Sequence, residues 1–255
     1  MRPRIVSMRE GARWLLDGWR MFRASPFGWL ALVVTYWMVM TLISVVPVAG
    51  IAVASVLVPA FSVGFMAAAR AASHGAPVSL GLLFDGFRHR VRDQLLLGVV
   101  YLACLGLVLG ATTLADGGAL ARWMLVGGRP SDEAMQSEDF LSALLCAAAL
   151  YVPVMMMFWF APPLAAWHSS GVAKALFFSF FASLMNWRAF FVYGALTALV
   201  SLVIPFVLLS VLLLASSGAL KLSVMGMVFP LLLVLLPTFF ASFYASYRDI
   251  FGTVA

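Results

Sequence analysis

Three histidines are the residues best suited to chemistry in this sequence: His74, His89 and His168. Imidazole binds transition metals and changes its charge near neutral pH. The spacing of the three fits no zinc motif, but His74 and His168 each lie fifteen residues after a proline, Pro59 and Pro153. Two interpretations stay open, a metal- or pH-sensing pair and interfacial histidines without such a task. We expect no bound metal and no cofactor.

The other reactive residues form no catalytic set. Met155, Met156 and Met157 are consecutive, so on a helix they point about 100° apart and cannot converge on one copper ion. Cys104 and Cys146 each stand alone in an apolar stretch, which predicts buried thiols rather than a disulfide or redox motif. No apolar stretch carries a protease-like Ser–His pair, a pair of aspartates or an axial histidine for haem. We therefore expect a protein that is not an enzyme.

Six long apolar stretches must position these residues. Apolar side chains make up 64% of the chain and charged ones only 10%, whereas soluble domains are about 25% charged. A membrane-crossing helix needs about 20 apolar residues. The sequence predicts an all-α integral membrane protein, a single polytopic domain over residues 1–255, with spans at about 27–46, 50–70, 95–115, 140–163, 189–214 and 223–247. None has a charged residue between its ends, which argues against proton-coupled pumping.

Lysine and arginine are unevenly distributed between the segments that join the spans. With six spans and a cytoplasmic N-terminus, thirteen of them, Arg2 included, lie on the cytoplasmic side and three, Arg122, Arg129 and Lys221, on the other. Cytoplasmic loops carry the excess of positive charge. We therefore expect a bacterial inner-membrane protein with both termini in the cytoplasm. No cleaved signal peptide is expected, because charge interrupts the first apolar run.

A short pattern recurs along the chain before each pair of spans. RWLLDGWR at 13–20 is echoed by GLLFDGFR at 81–88, and a weaker copy occupies 173–186. The second span of each pair contains a proline, Pro59, Pro153 or Pro237. This predicts a three-fold repeat of an interfacial helix and a two-span hairpin, over about 5–75, 76–170 and 171–255. The prolines are hinge candidates, or were simply copied by duplication.

The short segments are predicted to be amphipathic helices in the plane of the head groups. In the first, Met8, Ala12, Leu15, Trp19 and Phe22 share one face. Trp14, Trp19 and Trp29 suit head-group depth. Arginines are the expected contacts to lipid phosphate, namely Arg13, Arg20, Arg88, Arg90 and Arg92. The alternative is that these helices only brace the bundle.

This pattern, with Asp-Gly-Trp-Arg at 17–20, Asp-Gly-Phe-Arg at 85–88 and prolines in the return spans, resembles a group of uncharacterised Gram-negative inner-membrane proteins. More loosely, it is similar to the membrane domain found beside some glycerophosphodiester phosphodiesterases. The resemblance implies the six-helix topology. It implies no phosphodiesterase activity, because the soluble domain that carries this activity is absent.

Two functions remain as hypotheses. The first is a non-enzymatic accessory or lipid-interacting protein, whose partners would be anionic membrane lipids. The second is a transporter or channel for a neutral or amphipathic solute. A membrane-protein partner or a homo-oligomer is also possible, since Gly106 and Gly110 are spaced for close helix approach. We expect no nucleic acid as partner, because the basic residues form no groove with interleaved aromatic residues.

Overall fold

The structure is a computed structural model that describes residues 3–46, 49–127, 129–168, 170–215 and 224–252. Side chains are not described for 208–209, 212–215 and 224–230. Arg2 and Lys221, which entered the charge count above, lie outside the described residues, as do Pro47 and Val48 between the first two spans.

The described residues form helices and short connections, with no strand among them. Twelve α-helices follow one another: α1 Met8–Ala24, α2 Pro26–Ser44, α3 Ala49–Ser73, α4 Asp85–Arg88, α5 Val91–Asp116, α6 Ala119–Val126, α7 Asp132–Met135, α8 Glu138–Phe158, α9 Ala161–His168, α10 Val172–Met185, α11 Trp187–Ala215 and α12 Val224–Phe251. A 3-10 helix, Leu80–Phe84, precedes α4. Six stretches are long and apolar enough to cross a membrane: α2, α3, α5, α8 with α9, α11 and α12. The prediction of an all-α membrane protein is confirmed.

The described residues divide into two compact units. The first takes its residues from 1–36, 64–83 and 182–255, and the second from 37–63 and 84–181. In the first unit, α1 packs against α11 and α12. In the second, α5 packs against α8 and α9, and α6 packs against α5 and α8.

The face that α1 presents to its neighbours differs from the expected one. Gly11, Trp14, Gly18 and Met21 are buried, at spacings of three and four residues, whereas Trp19 is 39% exposed. Of the predicted apolar face, Phe22 is buried as well, whereas Met8 is exposed. The contact also relies on glycines, which carry no apolar side chain that would mark the buried face in the sequence. Alanine at Gly11 or Gly18 would overlap backbone atoms of α11 or α12.

Trp14 and Trp29 are buried inside the protein, since both are 0% exposed. The indole Nε1 of Trp29 donates to the carbonyl oxygen of Met21 at 3.1 Å. That of Trp14 donates to Oδ2 of Asp249 at 3.0 Å. Their indole N–H groups are thus bonded within the chain and not to water or lipid head groups.

The N-terminal segment before α1 is held by Asn186, which is buried at the junction of α10 and α11. The side-chain amide of Asn186 accepts a hydrogen bond from Val6 N at 2.8 Å and donates to the carbonyl of Arg4 at 3.0 Å. Arg4 N donates to the carbonyl of Ile250. These bonds join the beginning of the described chain to the ends of α10 and α12.

The connection between α5 and α8 contains two short helices, α6 and α7. Asp116 accepts hydrogen bonds from Gly118 N and Leu120 N at 2.8 and 2.7 Å, which fixes the start of α6. The hydroxyl of Ser131 accepts from Ala134 N at the start of α7. Serine is among the residue types favoured at this position, because its side-chain oxygen accepts from an amide that the helix leaves free.

The fourth span is not one continuous helix. Within the stretch predicted as a span at about 140–163, α8 ends at Phe158 and α9 begins at Ala161. Pro162 and Pro163 follow the interruption directly. Because proline has no amide hydrogen, it cannot continue the hydrogen-bond ladder of the preceding turn.

Candidate functional site

Three of the five arginines predicted to contact lipid are paired with nearby carboxylates. Arg13 binds Glu10 at 2.7 Å, Arg20 binds Asp17 at 3.0 Å and Arg90 binds Asp93 at 3.0 Å, always three residues apart. The guanidinium groups stay exposed, with 66%, 75% and 45% of each side chain accessible. Their charges are nevertheless locally compensated, which weakens their attraction for an external phosphate.

Arg88 and Arg92 differ from these three. Both are exposed and have no ion pair among the described residues. Asp85, the acidic residue nearest to Arg88 on its helix, lies instead 3.5 Å from Nδ1 of His89. These two arginines are therefore the members of the predicted set whose charge is free to meet an anion.

Sequence reasoning missed further exposed arginines of the same kind, and two of these lie on α1. Arg9 and Arg23 lie at the two ends of α1, are exposed and have no carboxylate partner in the described part of the chain. The spacing between acidic residues and arginines is the sequence signal that could have identified them. Glu10 and Asp17 stand three residues before Arg13 and Arg20, so the paired arginines could be recognised and set aside.

A network of side chains ties α1 to α12 in the first unit. Arg248 binds Asp17 at 2.9 Å and Asp249 at 3.0 Å. Asp17 also binds Arg20, and Asp249 accepts the indole hydrogen of Trp14. Every charge in this network has a partner, so the network has a structural role and leaves no reactive group.

The two repeat-matched histidines do not occupy comparable surroundings. His74 is exposed, and its Nδ1 lies 2.8 Å from the carbonyl oxygen of Arg70 in the same helix. His168 is half-buried at the end of α9. His74 belongs to the first compact unit and His168 to the second. The described residues contain no group of three or more His, Cys, Asp or Glu suited to a metal ion.

The three hinge candidates lie within helices that remain continuous around them. Pro59 and Pro237 are buried in α3 and α12, and Pro153 is half-buried in α8. The helix is interrupted at Trp159 and Phe160, six and seven residues after Pro153, and not at any of the three prolines.

Two side chains from neighbouring helices satisfy backbone groups around this interruption. The hydroxyl of Ser179 in α10 accepts from Phe160 N at 2.9 Å and donates to the carbonyl of Met156 at 2.8 Å. Nε2 of Gln94 in α5 donates to the carbonyl of Pro162 at 3.0 Å. Both side chains are 0% exposed. Neither residue was selected from the sequence: Ser179 lies in the weak third copy of the motif, at the position of glycine in the other copies, and Gln94 belongs to no motif.

The chain is similar to a protein of Burkholderia thailandensis described as a probable inner membrane protein. The two are 40% identical over 253 residues, which cover 97% of this chain and 93% of the relative. No protein-family model matches the chain. No solved structure matches it. The similarity to the membrane domain beside glycerophosphodiester phosphodiesterases therefore rests on the short motifs alone.

Proposed function

Since the chain belongs to the family of this Burkholderia thailandensis protein and is a multi-pass inner-membrane protein, we propose that it is a non-enzymatic accessory protein that binds anionic lipids. The proposed contact surface consists of Arg9, Arg23, Arg88 and Arg92. Both termini are proposed to face the cytoplasm, because that orientation places these four arginines at the leaflet where anionic lipids attract basic segments.

The observation that carries this proposal is the contrast between paired and unpaired arginines. A guanidinium group that already binds a carboxylate must exchange that partner for a lipid phosphate. An unpaired, exposed one gains a charge-assisted hydrogen bond without such a loss. Near an anionic membrane surface each basic side chain contributes about 1 kcal/mol. Four unpaired arginines are thus enough to select anionic lipids from a mixed bilayer.

The three-fold repeat is part of the proposal, and two glycine contacts support it. In the first copy of the motif, Gly18 lies against the carbonyl oxygen of Thr238 in α12. In the second copy, Gly86 lies against the carbonyl oxygen of Ala60 in α3. Thr238 and Ala60 both directly follow the proline of their helix. Two copies of one motif therefore meet two return spans at the same position.

The third copy makes a related contact. Ser179 stands where the other copies have glycine, and it binds the backbone of α8 at Met156 and Phe160, which follow Pro153 by three and seven residues. The first motif copy thus contacts the third return span, the second copy the first, and the third copy the second. This cyclic order is what triplication of one unit over 5–75, 76–170 and 171–255 produces.

A second candidate function, transport of a neutral or amphipathic solute, is favoured by the interrupted fourth span. Transporters build solute sites where a spanning helix is broken and its backbone groups become available. Uptake of a panel of radiolabelled neutral solutes into proteoliposomes tests this candidate directly. Saturable uptake would make it the leading function.

Lipid selection tests the main proposal. We would replace Arg9, Arg23, Arg88 and Arg92 by glutamine together, reconstitute the protein in nanodiscs of phosphatidylglycerol and phosphatidylcholine, and measure retained lipid by native mass spectrometry. The wild type is expected to retain phosphatidylglycerol preferentially, and the variant to lose this preference several-fold.

The matched control replaces Arg13, Arg20 and Arg90, which have carboxylate partners. This variant is expected to keep most of the preference. If both variants lose it equally, net charge rather than unpaired arginine explains the binding. If neither loses it, the lipid-binding role is refuted.

A further inference from the structure

The interruption of the fourth span falls where two prolines replace the amide donors of a regular helix. In a continuous helix the carbonyls of Phe158 and Trp159 would accept from the amides four residues later, at positions 162 and 163. Both of those residues are proline, so no amide hydrogen is available there. The helix therefore ends in an acceptor-rich region. Residues 160–166 around it are all buried and uncharged.

The side chain of Gln94 adds an acceptor to this region, its amide oxygen Oε1. A hydrogen bond from the amide nitrogen of the same side chain holds that oxygen in place. Nε2 of Gln94 donates to the carbonyl of Pro162 at 3.0 Å, which holds the planar amide in place. Its Oε1 is buried and has no hydrogen-bond partner among the described residues. A buried acceptor without a donor costs about 1–3 kcal/mol. Such a position in a folded protein generally signals a bound water or ligand.

The surroundings define what could donate to this oxygen. A cation would be poorly compensated, because the described residues of the fourth span contain no carboxylate beyond its first turn and Asp93, next to Gln94, is already paired with Arg90 at 3.0 Å. The residues on either side of Pro162, to which Gln94 is bonded, are apolar and buried. A hydroxyl group on an otherwise apolar, uncharged body fits both conditions.

We propose that the interruption between α8 and α9 binds an uncharged amphipathic alcohol, whose hydroxyl donates a hydrogen bond to Oε1 of Gln94. The site needs no anionic lipid. It would supply the solute site of the second candidate function, and it does not depend on the lipid selection proposed above. Water is the competing occupant of the same position.

Thermal unfolding with two matched compounds distinguishes these occupants. The purified full chain is kept in an amine-oxide detergent, which has no hydroxyl groups. Its unfolding midpoint is measured with 1-monooleoylglycerol and with the same compound methylated on both hydroxyls. The hydroxyl compound is expected to raise the midpoint of the wild type more than the ether does.

Two variants of Gln94 complete the test. Gln94→Leu removes the acceptor and should abolish the difference between the compounds. Gln94→Glu keeps an acceptor oxygen and should preserve the difference, and Gln94→Met replaces the leucine variant if that variant does not fold. Equal effects of both compounds on the wild type, or an unchanged difference in Gln94→Leu, would overturn the proposal and assign the position to water.

Discussion

Trp14 holds the buried face of α1 against α11 and α12. Its ring is fully buried and lies 5.2 Å from the ring of Phe190 and 6.0 Å from that of Tyr193, between centroids. Its indole hydrogen is donated to a carboxylate of α12 rather than to water. An amphipathic side chain that suits the membrane interface is used here to fix a short helix to two spans. In the proposed function, lipid contact is assigned to the opposite side of α1.

Replacing Trp14 by phenylalanine isolates the contribution of that hydrogen bond. The ring contacts are largely kept, while Asp249 loses the indole donor. We expect unfolding to become easier by about 1.5–3 kcal/mol, the range for a hydrogen bond to a charged group. Trp19→Phe on the same helix is the control, since Trp19 is 39% exposed, and should change stability by less than about 0.5 kcal/mol. Denaturant unfolding in detergent measures both, and equal losses would contradict the assignment.

Gly18 provides a second test at the residue scale. An alanine there would place its Cβ against the backbone oxygen of Thr238, which cannot move aside as a side chain can. We expect Gly18→Ala to destabilise the protein by about 1–3 kcal/mol. Gly106→Ala serves as the control, because no atom lies within 4 Å of the added carbon. It should be neutral or stabilising by up to about 1 kcal/mol, and a loss as large as that of Gly18→Ala would count against a close contact at Gly18.

At the scale of elements, the spans could be predicted and their packing could not. Six apolar stretches are visible from composition alone, because the bilayer imposes both length and polarity. The buried face of α1 escapes the same reasoning, since Gly11 and Gly18 act by lacking a side chain. The interruption after Phe158 escapes it as well. Pro59 and Pro237 leave their helices continuous, so a proline in a span does not by itself predict a break.

What distinguishes the broken helix is support from residues far away in sequence. Ser179 and Gln94 lie in α10 and α5, and they bind backbone groups that an unbroken helix would have satisfied itself. Because Ser179 and Gln94 lie far from the interruption in sequence, their contacts with it could not be predicted from the sequence. The arginine pairs, by contrast, lie within one turn of a helix and could be recognised from spacing alone.

Ser179 should therefore be costly to replace. Ser179→Ala leaves Phe160 N and the carbonyl of Met156 without the hydroxyl that bridges them, in a position that is 0% exposed. We expect a loss of about 1–3 kcal/mol. Ser210→Ala is the matched control, because Ser210 donates only to the carbonyl of Phe206 in its own helix. Thermal unfolding of both variants in detergent measures the difference, and a similar small effect in each would show that the interruption does not depend on Ser179.

At the scale of the whole molecule, orientation links the arginines to their proposed partner. The unpaired arginines of α1 and those beside α4 can meet the anionic cytoplasmic leaflet only if both termini lie in the cytoplasm. The connection that contains α6 and α7 would then lie on the opposite side of the membrane. Orientation is therefore a condition that the lipid proposal must meet, and it can be measured without any knowledge of the lipid.

Cysteine labelling in cells makes that measurement. In a background where Cys104 and Cys146 are replaced by serine, Ser131→Cys at the start of α7 and His89→Cys after α4 give single thiols at two exposed positions. A membrane-impermeant maleimide applied to spheroplasts is expected to label Ser131→Cys at once and His89→Cys only after permeabilisation. The reverse pattern would place Arg88 and Arg92 at the periplasmic leaflet. The proposal of a cytoplasmic lipid contact would then fail, whatever the outcome of the lipid-retention experiment, because the electrostatic attraction it invokes acts at the cytoplasmic surface.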